Sequence, residues 1–295
     1  MALPTRAHVF HLADLLAGHV RGLRCPSCGA RGASEVLKKH LGVASIYRCG
    51  ACELLFRPTG LQTGRVAAWY YSRLYGNQGI ATEPQDDTRE TALVRAREAG
   101  KDRSTLVATL LPLLPEGART IGVVGASWGY ELLCMEHLGL PLYGIEPGEP
   151  RREHGKRRFG LALFADAREA RAAGHGGGLV MSSHVLEHIA ELEATLDAVQ
   201  RELTPFMQVH VTPRVDPFTS ELAPTIGREH PLGVTEAFWR RWAARHGRAV
   251  SFRTHRPEPH MPAGELVTIV YDPTRVAPSE IEAIRFAGQE GEERA

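Results

Sequence analysis

The alternation of short apolar segments with helical segments between residues 120 and 211 most constrains the fold of this chain. Apolar runs of four or five residues that alternate with segments of helical spacing are typical of buried strands joined by helices. This order predicts a parallel, doubly wound sheet, in which ligands bind beyond the carboxyl ends of the strands. The predicted strands of this stretch are 120–124, 142–145, 161–164, 179–182 and 207–211.

Further segments complete an α/β pattern. Helical spacing predicts helices over 89–114, 130–138, 150–159, 189–203 and 235–246, with Thr235 as the N-cap of the last one. Two more strands are predicted over 249–254 and 265–271. No long helical segment separates these two, so they could form an antiparallel pair at an edge. The chain is therefore expected to contain a mostly parallel, doubly wound, seven-stranded sheet.

The first predicted strand leads into a turn that carries two glycines and two small residues. Glycine permits backbone conformations and a close ligand approach that a side chain would block. Taken alone, the turn is equally compatible with an ordinary tight connection between a strand and a helix. The residues of this turn that could contact a ligand are Gly125, Ala126, Ser127 and Gly129.

Acidic residues follow the next two predicted strands. Glu146 stands at the end of the second strand, roughly 20 residues after the turn, where an acid accepts hydrogen bonds from ribose hydroxyls in nucleotide sites. Asp166 and Ala167 follow the third strand, where an adenine amine could be bound. Such features at three successive strand ends point to an adenosyl cofactor rather than to a turn alone.

The fourth predicted strand runs directly into an H-x-x-E-H string formed by His184, Glu187 and His188. On a continuous helix this string is also a zinc-peptidase signature. We reject that interpretation because the string follows an apolar strand, which places His184 in the turn after it. A zinc peptidase also needs a further acidic ligand on another helix.

Together, these segments resemble the class I S-adenosylmethionine-dependent methyltransferases over about residues 105–255. The resemblance is carried by residues 123–130, 144–147, 165–167 and 181–188, and the last of these is similar to the fourth-strand signature of the small-molecule branch. It implies a Rossmann-like methyltransferase fold and S-adenosylmethionine as the cofactor. The cofactor contacts that it implies come from Gly125, Ser127, Gly129, Glu146, Asp166, Ser183 and His184.

Three positions depart from the family pattern. The family usually has an acid two residues before the first glycine, where this chain has Val123, and Ser127 replaces the middle glycine. The approach to the fifth strand is reduced to residues 204–206. The first two departures leave the turn in place but put the strength of cofactor binding in doubt.

The resemblance to sugar C-methyltransferases implies that His188 acts as a general base. A histidine suits this role because its unperturbed pKa lies near neutrality. Glu187 would then orient it or pair with its charge, although His188 could instead simply pack and cap the start of the following helix. His230, in the long loop 213–233, is a second candidate base or else a surface residue.

Two C-x-x-C pairs near the N-terminus predict a structural zinc site of the four-cysteine ribbon type, formed by Cys25, Cys28, Cys49 and Cys52. An aromatic segment follows at 69–76. The order of ribbon, aromatic segment and methyltransferase region resembles bacterial methyltransferases of deoxysugar and secondary metabolism. In those relatives the segment covers the substrate, which makes Tyr71 and Tyr75 candidates for substrate contact, or else part of a small core.

The net charge of +1 argues against a long nucleic acid as the partner. A small polar metabolite is therefore the expected substrate. One alternative is a ribosomal-RNA base methyltransferase that uses the basic helix 150–159, and another is a non-catalytic zinc-ribbon protein with a degenerate methyltransferase fold. A dinucleotide-binding dehydrogenase fits less well, because Leu132 stands where its third glycine belongs.

We predict three regions: a zinc ribbon with the aromatic segment at 1–82, a methyltransferase domain at 83–272 and a C-terminal helix with an acidic tail at 273–295. The sequence shows no signal peptide and no apolar run of the roughly 20 residues that would cross a membrane, so a cytoplasmic location is expected. It does not indicate an oligomeric state.

Overall fold

The computed structural model describes residues 6–39, 44–61, 66, 69–70, 88–215, 225–227, 230–255 and 264–286. The helices are α1 (Arg6–Val20), α2 (Arg89–Glu98), α3 (Ser104–Leu110), α4 (Tyr130–Met135), α5 (Glu149–Phe159), α6 (Ala167–Ala172), α7 (Leu192–Leu203), α8 (Glu236–Arg245) and α9 (Pro278–Glu282). The strands are β1 (Ala33–Leu37), β2 (Ile46–Cys49), β3 (Leu55–Phe56), β4 (Ile121–Val124), β5 (Leu142–Ile145), β6 (Leu163–Phe164), β7 (Leu179–Ser183), β8 (Met207–Pro213), β9 (Leu232–Gly233), β10 (Ala249–His255) and β11 (Glu265–Tyr271).

Seven strands form the main sheet in the order β10-β11-β8-β7-β4-β5-β6. The pairs of β4 with β5, β4 with β7 and β5 with β6 are parallel. The chain order reverses on the two sides of β4, which creates the switch point where α/β sheets bind ligands. This arrangement confirms the predicted Rossmann-like methyltransferase fold, and all seven predicted strands are present.

The core around the parallel strands consists of apolar side chains from both strands and helices. Val124, Tyr143 and Val180 pack with Ala170 of α6 and Leu203 of α7, and all of them are buried. The Tyr143 ring also occupies the space that a Cβ on residue 122 would need, which explains the glycine within β4. Strands that are buried on both faces have near-continuous apolar sequences, as β4 and β7 do.

A second, four-stranded sheet has the order β1-β2-β3-β9. Its pairings are antiparallel, and β9 contributes Leu232 opposite Phe56 and Gly233 opposite Leu55. Ile46, Leu55 and Ile226 form a small buried cluster beside it. The ribbon sequence therefore does not close its own sheet, because its last strand comes from more than 170 residues further along the chain.

The prediction of one continuous helix over 89–114 is wrong. The pattern from 89 to 114 predicts a single helix, whereas the structure ends α2 at Glu98 and begins α3 at Ser104. Gly100 adopts a φ of +64°, and Asp102 Oδ1 accepts a hydrogen bond from the Ser104 N–H at 3.0 Å. A glycine in the left-handed conformation ends one helix, and a carboxylate that accepts from a backbone N–H begins the next.

The other helices agree with their predictions within a few residues. Thr235 caps α8 as expected, since its Oγ1 accepts from the Phe238 N–H at 3.1 Å. The predicted helix from 189 starts at Leu192, because a 3-10 turn, Leu186–His188, comes first.

The chain forms two compact units. Unit 1 comprises residues 1–74, 184–197 and 211–267, and unit 2 comprises residues 75–183, 198–210 and 268–295. Each unit combines segments from more than one of the predicted regions, and the boundaries at 82 and 272 stay a prediction. In the part of the chain that the structure describes, no helix is both long enough and apolar enough to span a membrane.

Candidate functional site

The glycine turn after β4 has an unusual backbone. Gly125, Ser127 and Gly129 all have positive φ angles, of +74°, +50° and +92°. The N–H groups of Gly125 and Ala126 both donate to the Ile145 carbonyl, at 2.8 and 3.0 Å. The turn is thereby fixed to the end of β5, which is the strand that carries the predicted ribose-binding acid.

Glu146 contacts the turn directly. Its side chain is buried, its Oε2 accepts from the Ser127 N–H at 2.9 Å, and its Oε1 accepts from the Gly148 N–H at 2.7 Å. Burial raises the pKa of this carboxyl, against the charges of Arg151 and Arg152 and the two backbone hydrogen bonds. Each oxygen of a carboxylate can accept more than one hydrogen bond, so the group keeps capacity for two ribose hydroxyls.

The residues after β6 lie at the start of α6. Asp166 is exposed and caps this helix, its Oδ1 accepting from the Glu169 N–H at 2.8 Å. Ala167 is buried in the core. The other carboxylate oxygen of Asp166 remains for a ligand amine, so the cap and the predicted adenine contact are compatible.

Ser183 ends β7, and its hydroxyl accepts a hydrogen bond from Arg103 Nε at 3.1 Å. Arg103 comes from the break between α2 and α3 that the sequence pattern does not predict. A guanidinium at a strand end suits a carboxylate such as that of a methionyl group. Sequence reasoning therefore missed Arg103, and Gly100 with Asp102 was the signal that could have found it.

A second group of polar side chains lies within unit 1. His184 Nε2 is 2.7 Å from Glu265 Oε1, and His184 Nδ1 is 3.3 Å from Glu187 Oε1. His184 has a φ of +53°, in the left-handed region, as expected for a residue in the turn after the strand. Its imidazole thus lies between two buried carboxylates, and its predicted contact with the cofactor stays a prediction.

Glu187, His188 and His230 form what we call the imidazole–carboxylate cluster. One potential ligand atom from each residue lies within 4.8 Å of the others. The rings of His188 and His230 are 4.6 Å apart between centroids and nearly perpendicular, at 75°. The structure therefore brings together the three residues predicted as catalytic.

The surroundings of Glu187 lower the pKa of its carboxyl. Burial alone would raise its pKa, but the neighbouring His184 imidazole, together with the charges of His188 and His230, holds the pKa down at about 2. A carboxylate with a lowered pKa beside two imidazoles can orient them or stabilise their protonated forms. This is the property that the prediction for Glu187 requires.

The four predicted zinc ligands converge in unit 1. Cys25 Sγ and Cys52 Sγ are 3.6 Å apart, as are Cys28 Sγ and Cys49 Sγ. A tetrahedral zinc site with metal–sulfur distances of about 2.3 Å has sulfur–sulfur edges of about 3.8 Å. The N–H groups of Ala51 and Cys52 also point at Cys49 Sγ, both at 3.4 Å, so the donor set fits zinc.

Hydrogen bonds tie the cysteine cluster to other parts of unit 1. Ser27 Oγ accepts from the Glu193 N–H at 3.1 Å, and Thr235 Oγ1 donates to the Glu53 carbonyl at 2.9 Å. Four protein thiolates leave no open metal position for chemistry. The cluster therefore suits a structural role. Tyr71 and Tyr75, the predicted substrate contacts, lie outside the described residues.

The strand order of the main sheet defines a class I methyltransferase fold. The same chain contains a four-cysteine cluster of the zinc-ribbon type. No protein-family model and no curated protein matches the chain. Among solved structures, it is similar to magnesium protoporphyrin IX methyltransferase from Synechocystis PCC 6803 with bound SAH, with a TM-score of 0.48 and 14% identity over 70% of this chain and 99% of that chain.

Two further likenesses are of the same kind. The plantazolicin methyltransferase BpumL, in complex with a triazolic desmethylPZN analog and SAH, has a TM-score of 0.49 and 12% identity over 69% of this chain and 93% of that one. The methyltransferase domain of a bacterial Hen1 has a TM-score of 0.45 and 17% identity over 58% and 97%. These likenesses are distant, and the fold is identified by the strand order of the sheet.

Proposed function

We propose that this chain is an enzyme that transfers a methyl group from S-adenosylmethionine to an oxygen, carbon or nitrogen of a small polar metabolite. The observation that carries this proposal is the contact between Glu146 and the N–H of Ser127. It joins the glycine turn to a buried acid at the neighbouring strand end, which is the arrangement that an adenosyl ribose requires. S-adenosylmethionine supplies a methyl group on a cationic sulfonium.

The residues of unit 2 would hold the cofactor. Glu146 accepts hydrogen bonds from the ribose, the residues after β6 contact the adenine, and Arg103 with Ser183 binds the methionyl carboxylate. Fixing the donor in this way lowers the entropic cost of in-line transfer. The four-cysteine cluster holds a zinc ion that takes no part in this chemistry.

His188 is the proposed general base for an acceptor whose reactive atom carries a proton. Glu187 keeps a negative charge beside it, and His230 is the second candidate for the same proton. The substrate-covering role of Tyr71 and Tyr75 belongs to the same proposal. Deoxysugars and other intermediates of secondary metabolism are the acceptor class that the resemblance favours, and a cytoplasmic location accords with a reduced cysteine cluster.

The ribosomal-RNA alternative depends on a free basic face on α5, and two of its arginines have other contacts. The Arg151 guanidinium is buried over the Trp128 ring, at 5.6 Å from the centroid. Arg152 donates to the Glu146 carbonyl at 2.9 Å. These contacts favour a small-molecule acceptor over a polyanion.

Replacing His188 by Ala tests the catalytic part of the proposal. We expect turnover to fall about 10²-fold or more, because the acceptor then has no base, while the dissociation constant for S-adenosylmethionine changes less than about twofold. The measurement is release of S-adenosylhomocysteine with a pool of small polar metabolites as acceptors. His137→Ala, a histidine in unit 2 outside the cluster, is the control. Wild-type turnover in the His188 variant would remove His188 from the mechanism.

A further inference from the structure

The imidazole–carboxylate cluster combines residues from two distant parts of the sequence. Glu187 and His188 lie in the 3-10 turn after β7, and His230 lies just before β9. Their potential ligand atoms lie within 4.8 Å of one another. These three side chains, from two separate segments, place their ligand atoms close enough together for one cation to bind all of them.

Burial makes this convergence costly unless something balances the charge. Glu187 is 2% exposed and His188 is 9% exposed. Among the described residues, neither carboxylate oxygen of Glu187 has a hydrogen-bond partner of acceptable geometry, and the His184 imidazole is 3.3 Å from one of them. Buried carboxylates are normally hydrogen-bonded, paired or bound to a metal.

We propose that Glu187, His188 and His230 bind a divalent first-row transition cation, at a site separate from the four cysteines. Two imidazoles and one carboxylate suit zinc, cobalt, iron or manganese better than magnesium or calcium, which prefer oxygen ligands throughout. Three protein ligands leave at least one coordination position open, as in catalytic rather than structural sites.

His184 is the positioning residue of this site. Its Nε2 is held by Glu265 Oε1 at 2.7 Å, which turns Nδ1 toward Glu187. Residues that orient a metal-binding carboxylate or imidazole in this way strengthen metal affinity by about 10–100-fold. The contact of His184 with Glu265 would therefore help to hold Glu187 in position for the cation.

The site goes beyond methyl transfer, because metal binding can be measured without S-adenosylmethionine. If no cation binds, the proposal that the chain binds S-adenosylmethionine is unaffected. If S-adenosylmethionine does not bind, the proposed cation site is likewise unaffected. The general-base role proposed for His188 applies to the cation-free form, because an imidazole nitrogen that binds a cation cannot also accept a proton. Turnover that is lost on chelation and restored by the cation would then mark the cation-bound form as the active one.

The test is a cobalt titration of the full chain after one equivalent of zinc has been added, which fills the four-thiolate cluster and leaves the second site empty. Visible absorption reports the ligands of the added Co²⁺, because thiolate ligands give sulfur-to-cobalt charge transfer and imidazole or carboxylate ligands do not. The variants are Glu187→Gln and His230→Gln. His137→Gln is the matched control, and circular dichroism establishes that each variant is folded.

We expect the wild type and His137→Gln to show saturable d–d absorption without thiolate charge transfer. Glu187→Gln and His230→Gln should weaken Co²⁺ binding at least about 10-fold. The side chain of His230 is half-buried, so the His230→Gln variant decides the matter if Glu187→Gln does not fold. Absence of a saturable signal at about 1 mM Co²⁺ would overturn the proposal. Thiolate-to-cobalt charge transfer in the spectrum of the added Co²⁺ would also overturn the proposal. So would a wild-type affinity for Co²⁺ in a folded His230→Gln variant.

Discussion

Ser127 has a backbone that its side chain disfavours. A φ of +50° lies in the left-handed region, which costs a residue with a Cβ roughly 1–2 kcal/mol. The turn retains this conformation because the Ser127 N–H donates to Glu146. A serine at the position where class I methyltransferases usually have a glycine therefore keeps the left-handed conformation and adds backbone strain.

The strain predicts different effects for two substitutions at this position. Ser127→Gly should keep or raise the free energy of unfolding, by up to about 1 kcal/mol, because relief of strain exceeds the added entropy of the unfolded chain. Ser127→Val should lower it by about 1–2 kcal/mol, since a β-branched residue fits positive φ poorly. Urea denaturation measures both, and equal stabilities would contradict the assignment of strain.

His210 is a buried, neutral histidine in the centre of the main sheet. Burial lowers its pKa from 6.5 to about 3. Its Nδ1 is 2.8 Å from Ser182 Oγ, and its Nε2 is 3.2 Å from Gln208 Oε1. Both contacts suit a neutral ring, in which one nitrogen donates and the other accepts.

This pKa predicts a loss of stability in acid. The unfolded chain takes up a proton on His210 near pH 6.5, whereas the folded chain takes it up only near pH 3. The contribution is complete above pH 6.5 and is lost as the pH falls toward 3, with a slope of at most about 1.4 kcal/mol per pH unit. Urea unfolding at several pH values should show this slope in the wild type and a smaller one in His210→Gln. Equal slopes would mean that His210 does not remain neutral.

At the scale of elements, the cysteine cluster is stabilised by contacts with helices from elsewhere in the chain. Its hydrogen bonds to Glu193 and Thr235 mean that loss of zinc should loosen more of unit 1 than the ribbon. Trp242 of α8 also links α7 to the cysteine cluster. Its Nε1 donates to Asp197 Oδ1 of α7 at 2.8 Å. Its side chain lines a cavity of about 310 Å³ that Cys28 and Cys52 line as well.

A pair of cysteine variants tests this role. Cys52→Ala removes one thiolate and should reduce zinc retention at least about 10-fold and lower the melting temperature. Cys134→Ala should keep its zinc, because Cys134 is a buried thiol on α4 whose pKa burial raises to about 12. Zinc content by mass spectrometry and thermal unfolding measure the two effects. Equal zinc content in both variants would contradict the assignment.

The elements differ in how far the sequence predicts them. Strands of the parallel sheet are predictable because they are apolar runs bounded by turn residues, and Thr235 is predictable as a cap because its hydroxyl acts locally. The break between α2 and α3 has a local cause at Gly100, but the apolar spacing continues across it and hides it. Arg103 therefore escaped prediction as a site residue.

Across the whole chain, contacts between residues far apart in the sequence are not predicted by the sequence pattern. The fourth strand of the ribbon sheet comes from Leu232 and Gly233, and His230 contacts His188 although 41 residues lie between them. Such pairings depend on tertiary packing rather than on local pattern. Apart from Arg103, the sequence therefore identified the residues of both candidate sites separately, and the structure adds which of them are in contact.

We propose that the chain binds S-adenosylmethionine through Glu146, and calorimetric titration tests this binding most directly. We predict saturable binding by the wild type, binding weakened at least about 10-fold in Glu146→Gln, and unchanged binding in Glu149→Gln, an exposed glutamate three residues away. No binding by the wild type at about 1 mM S-adenosylmethionine, or equal affinity in Glu146→Gln and the wild type, would contradict the claim.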